Sequence, residues 1–149
     1  VDQVTHYLVS ESRTITAPRD RLFDIVADPA MHPRLDGSGT VRGLRRAPAR
    51  LTLGARFGVD MKLGAPYRIT NTVIEFDEPA RIAWRHFNGH VWRYLFTAVD
   101  GGTEVTEEWD ARPAKNRWLL KLLGFPERNR AGIHATLDRL ADLARPGGG

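Results

Sequence analysis

The sequence contains no cysteine. That absence excludes disulfide staples, thiolate nucleophiles, Cys-ligated zinc and iron–sulfur clusters, and it fits a reducing, cytoplasmic setting. Long apolar runs are missing too. The longest, Trp118 to Phe125, is short and carries Lys121, so no membrane span is expected. No charged segment followed by an apolar run opens the chain, so no signal peptide is expected. Repeats and low-complexity stretches are absent, apart from a flexible tail expected over 145–149.

What is present is ordinary globular material. At 149 residues, with 42% hydrophobic and 27% charged, the chain is expected to form a single domain over 1–149 with one core. The net charge of +4 conceals an uneven distribution. Arg42, Arg45, Arg46, Arg50, Arg56 and Lys62 stand against Asp60 alone in one span. Arg112, Lys115, Arg117, Lys121, Arg128 and Arg130 stand against Glu127 alone in another. Nucleic acid is the first partner such a bias suggests. The basic spans lack interleaved aromatics, however, so no nucleic-acid partner is expected and solvated surface is the plainer reading.

The order of elements follows from turns and periodicity. Tyr7–Ile15 reads as a strand, Arg19–Ala27 as a helix ended by Asp28-Pro29, and Ala30–Leu35 as a second short helix. Six strands follow: Val41–Arg46, Arg56–Lys62, Tyr67–Phe76, Arg81–Phe87, His90–Val99 and Thr103–Asp110. They are separated by Gly64-Ala65-Pro66, Asp77-Glu78-Pro79, Asn88-Gly89 and Asp100-Gly101-Gly102. After a short piece over Asn116–Leu123, a long helix from Glu127 to Ala144 puts Ile133, Leu137, Leu140, Ala141 and Ala144 on one stripe. A six-strand run needs a cover for its buried face, and only this last helix is long enough.

Register follows from two turns. A two-residue Asp100-Gly101 turn sets Phe96 opposite Val105, Tyr94 opposite Glu107 and Trp92 opposite Trp109 on one face. Arg93 then faces Glu108 on the other face, so the aromatic side points inward. A three-residue Phe87-Asn88-Gly89 loop places Trp84 opposite Trp92 and His86 opposite His90. Alternation sends Phe57, Val59 and Met61 inward, whereas the two faces of Tyr67–Phe76 are too alike to separate. The inward face so built has the make-up of a ligand site, an aromatic wall with a few polar groups, and a packed core is the alternative. Glu107 favours the ligand, because an inward carboxylate needs a partner or water. The expected ligand-binding residues are Phe57, Met61, Trp84, Trp92, Phe96 and Trp109 from the sheet, with Ile133 and Leu137 from the last helix.

These residues give the chain a resemblance to the START/Bet v 1-like (SRPBCC) helix-grip superfamily, within it to the bacterial polyketide cyclase/dehydrase and lipid-transport group. The matching segments are Thr14-Ile15-Thr16-Ala17-Pro18, Leu22-Phe23-Asp24-Ile25-Val26-Ala27-Asp28-Pro29, His32-Pro33 and Asp36-Gly37. Ile82-Ala83-Trp84, Gly101-Gly102-Thr103-Glu104-Val105-Thr106 and Leu137-Asp138-Arg139-Leu140 complete them. The resemblance implies an α+β fold, a curved antiparallel sheet of about seven strands gripping a long C-terminal helix, with two short helices after the first strand. It also implies a hydrophobic cavity for lipids, polyketides or other flat hydrophobic molecules.

Three functions stay open at this point. The first is binding or transport of a small hydrophobic ligand without a cofactor. The second is a polyketide cyclase/dehydratase-type enzyme, with Glu107 as base and Tyr94 or His86 as acid. The third is a partner-binding module without a functional cavity. No nucleophile signature is present, since Ser38 reads as a turn serine. The glycines Gly37, Gly39 and Gly43 do not form a dinucleotide fingerprint. His86 and His90 meet across a hairpin without a third ligand, so no metal is expected. His6, His32 and His134 read as surface or satisfied histidines. Trp118–Phe125, flanked by Lys115, Arg117, Arg128 and Arg130, reads either as a helical turn packed on the sheet edge or as a patch for transient contact with an anionic membrane or a gate at the cavity mouth. A monomer or homodimer is expected.

Overall fold

Strand β1 (Leu8–Ile15) is followed by helix α1 (Arg19–Ala27), a 3-10 turn (Pro29–Met31) and the short helix α2 (His32–Leu35). Then come β2 (Val41–Leu44), β3 (Arg56–Leu63), β4 (Ala65–Asp77), β5 (Arg81–His86), β6 (Val91–Val99) and β7 (Gly102–Asp110). Helices α3 (Arg117–Leu122) and α4 (Phe125–Ala144) close the chain. This computed structural model describes residues 7–37, 41–44, 47–63, 65–86 and 88–146, without the side chains of 41–44, 59 and 61–63. His6, Ser38, Gly39, Arg45, Arg46 and the 147–149 part of the expected tail therefore lie outside the described residues.

The seven strands form one antiparallel sheet in the order β1-β7-β6-β5-β4-β3-β2. The chain leaves β1 at one edge, passes over α1 and α2, enters at the far edge with β2, and meanders back until β7 pairs with β1. Helix α4 lies along β1 and β7 and also packs on α1 and α2. This is the helix-grip arrangement, and its strand number agrees with expectation.

Both register arguments hold. Val99 pairs with Gly102, Phe96 with Val105, Tyr94 with Glu107 and Trp92 with Trp109. The Asp100-Gly101 turn works because Gly101 takes φ 84°, in the left-handed region. Across the other hairpin Trp84 pairs with Trp92 and His86 N–H donates to His90 O at 2.8 Å, as a three-residue connection requires. Gly89 has φ 106° there, and a side chain at that position would press on Pro113 O at 2.9 Å.

Strand β4 and the last helix both begin earlier than expected. Strand β4 begins at Ala65, with Pro66 opposite Lys62, so these two residues of the expected turn belong to the strand, and Gly64 lies outside the described residues. Helix α4 begins at Phe125, because Gly124 at φ 79° turns the chain and Pro126 is tolerated in a first helical turn. The ambiguity of β4 has a physical cause: a bulge between Val73 and Glu75 shifts its alternation. Ile69, Asn71 and Val73 face inward before the bulge, and Phe76 packs inward on Phe23 after it.

The core lies between the inner face of the sheet and α1, α2 and α4. Phe23, Phe57, Phe96 and Trp109 are its largest fully buried side chains. Truncating one of these to alanine costs about 3–5 kcal/mol. The outer face is held by ions instead. Arg93 lies 2.8 Å from Glu75, 3.0 Å from Glu108 and 3.6 Å from Asp110, and Arg112 lies 2.9 Å from Asp110.

Candidate functional site

Cross-strand pairing arranges the inward residues in transverse rows. One row runs Ile82–Tyr94–Glu107–Glu11 across β5, β6, β7 and β1. The next runs Val73–Trp84–Trp92–Trp109–Val9. Beyond it Asn71 pairs with His86, which faces His90. Tyr94 and Glu107 therefore come together, as expected. His86 does not join them, because the tryptophan row lies between, and four residues along β5 amount to roughly 13 Å.

Aromatic contacts bind the rows to the helices. Trp84 packs on Tyr94 at 5.6 Å and on Phe57 at 5.5 Å between ring centroids. His32 of α2 stacks on Trp84 at 5.0 Å, while its Nε2 meets Val26 O at 2.8 Å. It is a satisfied histidine, as expected, but it also forms part of the wall. Phe96 packs on Phe23 at 5.7 Å, and Ile133 and Leu137 of α4 are buried against the same interior. Trp92 is only half-buried. Met61 lies in β3, and its side chain is outside the described residues.

Glu107 is the unusual member. Its side chain is 3% exposed, and Oε1 has no hydrogen-bond partner. Burial pushes its pKa up to about 8; the Tyr94 hydroxyl, donating to it, pulls the other way, and the charge of Asp36 raises it further. At neutral pH Glu107 is therefore mostly protonated, with a proton of its own to donate. Tyr94 is also held well above the ordinary tyrosine range by burial and by the neighbouring carboxyl. Asp36 reaches this region because the Asp36-Gly37 corner is clamped on α4. Gly37 N–H donates to Thr136 Oγ1 at 2.8 Å, and a Cβ on Gly37 would lie 2.4 Å from Thr136 N.

Other inward polar atoms share the condition of Glu107. Asn71 Oδ1, Trp109 Nε1 and His90 Nδ1 are buried and unpartnered. Trp109 lies 5.9 Å from the His90 ring, and His90 stacks on His86 at 4.3 Å. Burial and the adjacent His86 drive the His90 pKa down to about 3, and burial lowers that of His86. Both imidazoles are therefore neutral at pH 7.

Sequence reasoning did not single out Asn71, Asp36 or the wall role of His32. The β4 bulge hid the first, and the others depend on helices docking from distant parts of the chain. Among the described residues no group of three His, Cys, Asp or Glu side chains is placed to hold a metal ion, and no helix is long and apolar enough to cross a membrane.

A model of the family described as polyketide cyclase / dehydrase and lipid transport matches residues 7–145. An uncharacterised protein of Mycobacterium tuberculosis, Rv0088, is 45% identical over 140 residues, which are 90% of this chain. The chain spans 62% of the length of the curated relatives it matches. Among solved structures, protein CV1439 of Chromobacterium violaceum is similar with TM-score 0.74 and 17% identity, covering 94% of this chain and 98% of that one. An AHSA1-like protein of Aeromonas hydrophila is similar with TM-score 0.67 and 22% identity, covering 90% and 89%. At such identities the likeness to these two is one of fold.

Proposed function

The chain belongs to the polyketide cyclase / dehydrase and lipid transport family, and on that premise we propose that it binds a small, largely apolar, oxygen-bearing ligand between the sheet and α4. The observation that carries this reading is the set of unpartnered buried polar atoms, Glu107 Oε1, Asn71 Oδ1 and Trp109 Nε1, within an aromatic wall. Each such atom left unsatisfied costs about 1–3 kcal/mol, and a core kept for stability alone gains nothing from several. A flat molecule with hydroxyl or carbonyl groups satisfies them: protonated Glu107 and the Trp109 N–H donate, and Asn71 Oδ1 accepts. Trp84, Trp92 and Phe57 supply the apolar contact, with Ile133 and Leu137 from the helix.

A second reading, a dehydratase, is favoured by the pairing of Glu107 with Tyr94. In its ionised fraction Glu107 takes the proton from the carbon next to a substrate carbonyl. Tyr94 gives its proton to the departing β-hydroxyl, which leaves as water. The Glu107 carboxyl then returns the proton to the Tyr94 phenolate opposite, and the pair is restored. His86, beyond the tryptophan row, is too remote for that transfer and serves this reading only at the far end of a long ligand.

Extraction of the purified protein into organic solvent, followed by mass spectrometry, tests both readings. A lipophile near one per chain, lost or much reduced in Glu107→Gln, supports the ligand site. Turnover of a β-hydroxy-ketone that is abolished in both Glu107→Gln and Tyr94→Phe supports the dehydratase. Failure to retain any lipophile, together with no binding of aromatic ketones by tryptophan fluorescence, removes both.

A further inference from the structure

Among the described residues, large exposed apolar side chains are few and mostly isolated, as with Leu53 and Val99. Helix α3 and the residue after it are the exception. Trp118 is 63% exposed, Leu122 74% and Leu123 56%, all within six residues. At 100° per residue, Trp118 and Leu122 fall within about 40° of one another on the helix, opposite the buried Leu120. Arg117 and Lys121 fall on the adjoining flank. Helix α3 is therefore anchored by Leu120 and presents an apolar face outward with a basic border, and the packing of α3 on α4 leaves that face uncovered.

The charge along this stretch of the chain has one sign. Arg112, Lys115, Arg117 and Lys121 lie between Asp110 and Glu127 with no acidic residue among them. Lys115, Arg117 and Lys121 are exposed, as is Arg128, which lies over the Phe125 ring at 4.8 Å. The position matters too. Arg128 acts electrostatically on Tyr67, itself 40% exposed, so the start of α4 lies near the exposed start of β4. The patch thus stands beside one end of the grip.

We infer that the outward face of α3, Trp118 and Leu122 flanked by Arg117 and Lys121, with exposed Leu123 just past the helix and Lys115 just before it, docks on the surface of an anionic lipid bilayer. The chemistry matches on both counts. The apolar side chains enter the boundary between headgroups and acyl chains, and the cations meet the acidic headgroups. A protein partner with an apolar groove satisfies the first requirement but has no need of an unbroken run of cations. Docking at this end places lipid next to the ligand site, and only that consequence rests on the ligand reading above. The docking itself stands without it.

The test uses the full chain and vesicles of phosphatidylcholine with 30% phosphatidylglycerol, compared with pure phosphatidylcholine. Co-sedimentation is expected on the anionic vesicles and at least tenfold less on the neutral ones or in 0.5 M salt. Trp118→Ser with Leu122→Ser is expected to lower binding at least tenfold, and Lys115→Glu with Lys121→Glu comparably. Because these side chains are exposed, the circular dichroism and melting temperature should be unchanged. Should the apolar pair of substitutions impair folding, the unaltered chain still decides: brominated lipid should quench its fluorescence, and Trp118→Phe should abolish most of that quenching. Equal binding to neutral vesicles, or no binding to either, overturns the proposal. A dimer that Leu122→Ser dissociates, with vesicles ignored, overturns it in favour of a second copy of the chain. The organic extract is measured separately, so loss of docking with the lipophile retained leaves the ligand reading standing.

Discussion

Glu107 and Glu108 are neighbours in β7 and point to opposite faces of one sheet. Glu108 lies 3.0 Å from Arg93, which also holds Glu75 and approaches Asp110. Glu107 has the Tyr94 hydroxyl as its hydrogen-bond partner and the like charge of Asp36 nearby, and one oxygen has no partner. Glu11, across from Glu107 on β1, lies 3.3 Å from Arg130 and 2.9 Å from His134. Cations were therefore within reach of the inner face as well as the outer one. Pairing marks the carboxylates that hold the fold, and the carboxyl left without a cation is the one that the proposed ligand site uses.

The largest break in this comparison is on the outer side. Arg93→Met leaves Glu108 without its cation and Glu75 with only the more distant Arg81, while Asp110 keeps Arg112. A loss of about 3 kcal/mol is expected in urea unfolding at pH 7, since removing the arginine leaves the part-buried Glu108 uncompensated. Loss below about 1 kcal/mol would mean that solvent already screens the network.

On the inner side the sign reverses. Burial lifts the Glu107 carboxyl from its ordinary 4.5 to about 8 in the folded chain, so its share of stability is full below pH 4.5 and is lost as pH rises to 8. Glu107→Gln removes that loss. The variant should match the parent below pH 4.5 and exceed it by roughly 2 kcal/mol already at pH 6, read from denaturant curves at both pH values. A variant destabilised at pH 6 would place Glu107 among the structural carboxylates.

Next in size is the acid limb. Burial and the adjacent His86 take His90 from its ordinary 6.5 to about 3 on folding, so its share of stability is present above pH 6.5 and is lost as pH drops towards 3. His90→Phe should flatten that limb by on the order of 1 kcal/mol per pH unit. An unchanged limb would assign acid sensitivity to His32 and His86, whose pKa values burial also lowers. The smallest effect belongs to the exposed Arg13–Asp138 pair between β1 and α4. Arg13→Ala should cost less than about 1 kcal/mol in the same unfolding assay, and that little should vanish in salt.

How much of this was legible in the sequence depends on the reach of each signal. The Asp100-Gly101 turn is local, and from it alone the pairing of Tyr94 with Glu107 and of Trp92 with Trp109 followed correctly. The Phe87-Asn88-Gly89 connection likewise carried Trp84 to Trp92. Asn71 escaped because a bulge at Ile74 breaks the alternation that reveals an inner face. Asp36 and His32 escaped for a different reason. Their positions come from α2 docking against α4 and the tryptophan row, contacts between residues far apart in the chain. The unequal pairing of Glu107 and Glu108 was foreshadowed by opposite faces, but the arginine of the outer network became specific only with the strands in place.

The most direct test of the account is the side-chain carboxyl resonance of Glu107, followed by carbon-13 NMR from pH 4 to pH 10 and assigned with Glu107→Gln. The account predicts a single titration with a midpoint near 8, the mark of a protonated carboxyl buried beside Tyr94 without a cation. A midpoint in the ordinary range near 4.5 would contradict it, for Glu107 would then be one more solvated or ion-paired carboxylate like its neighbour Glu108.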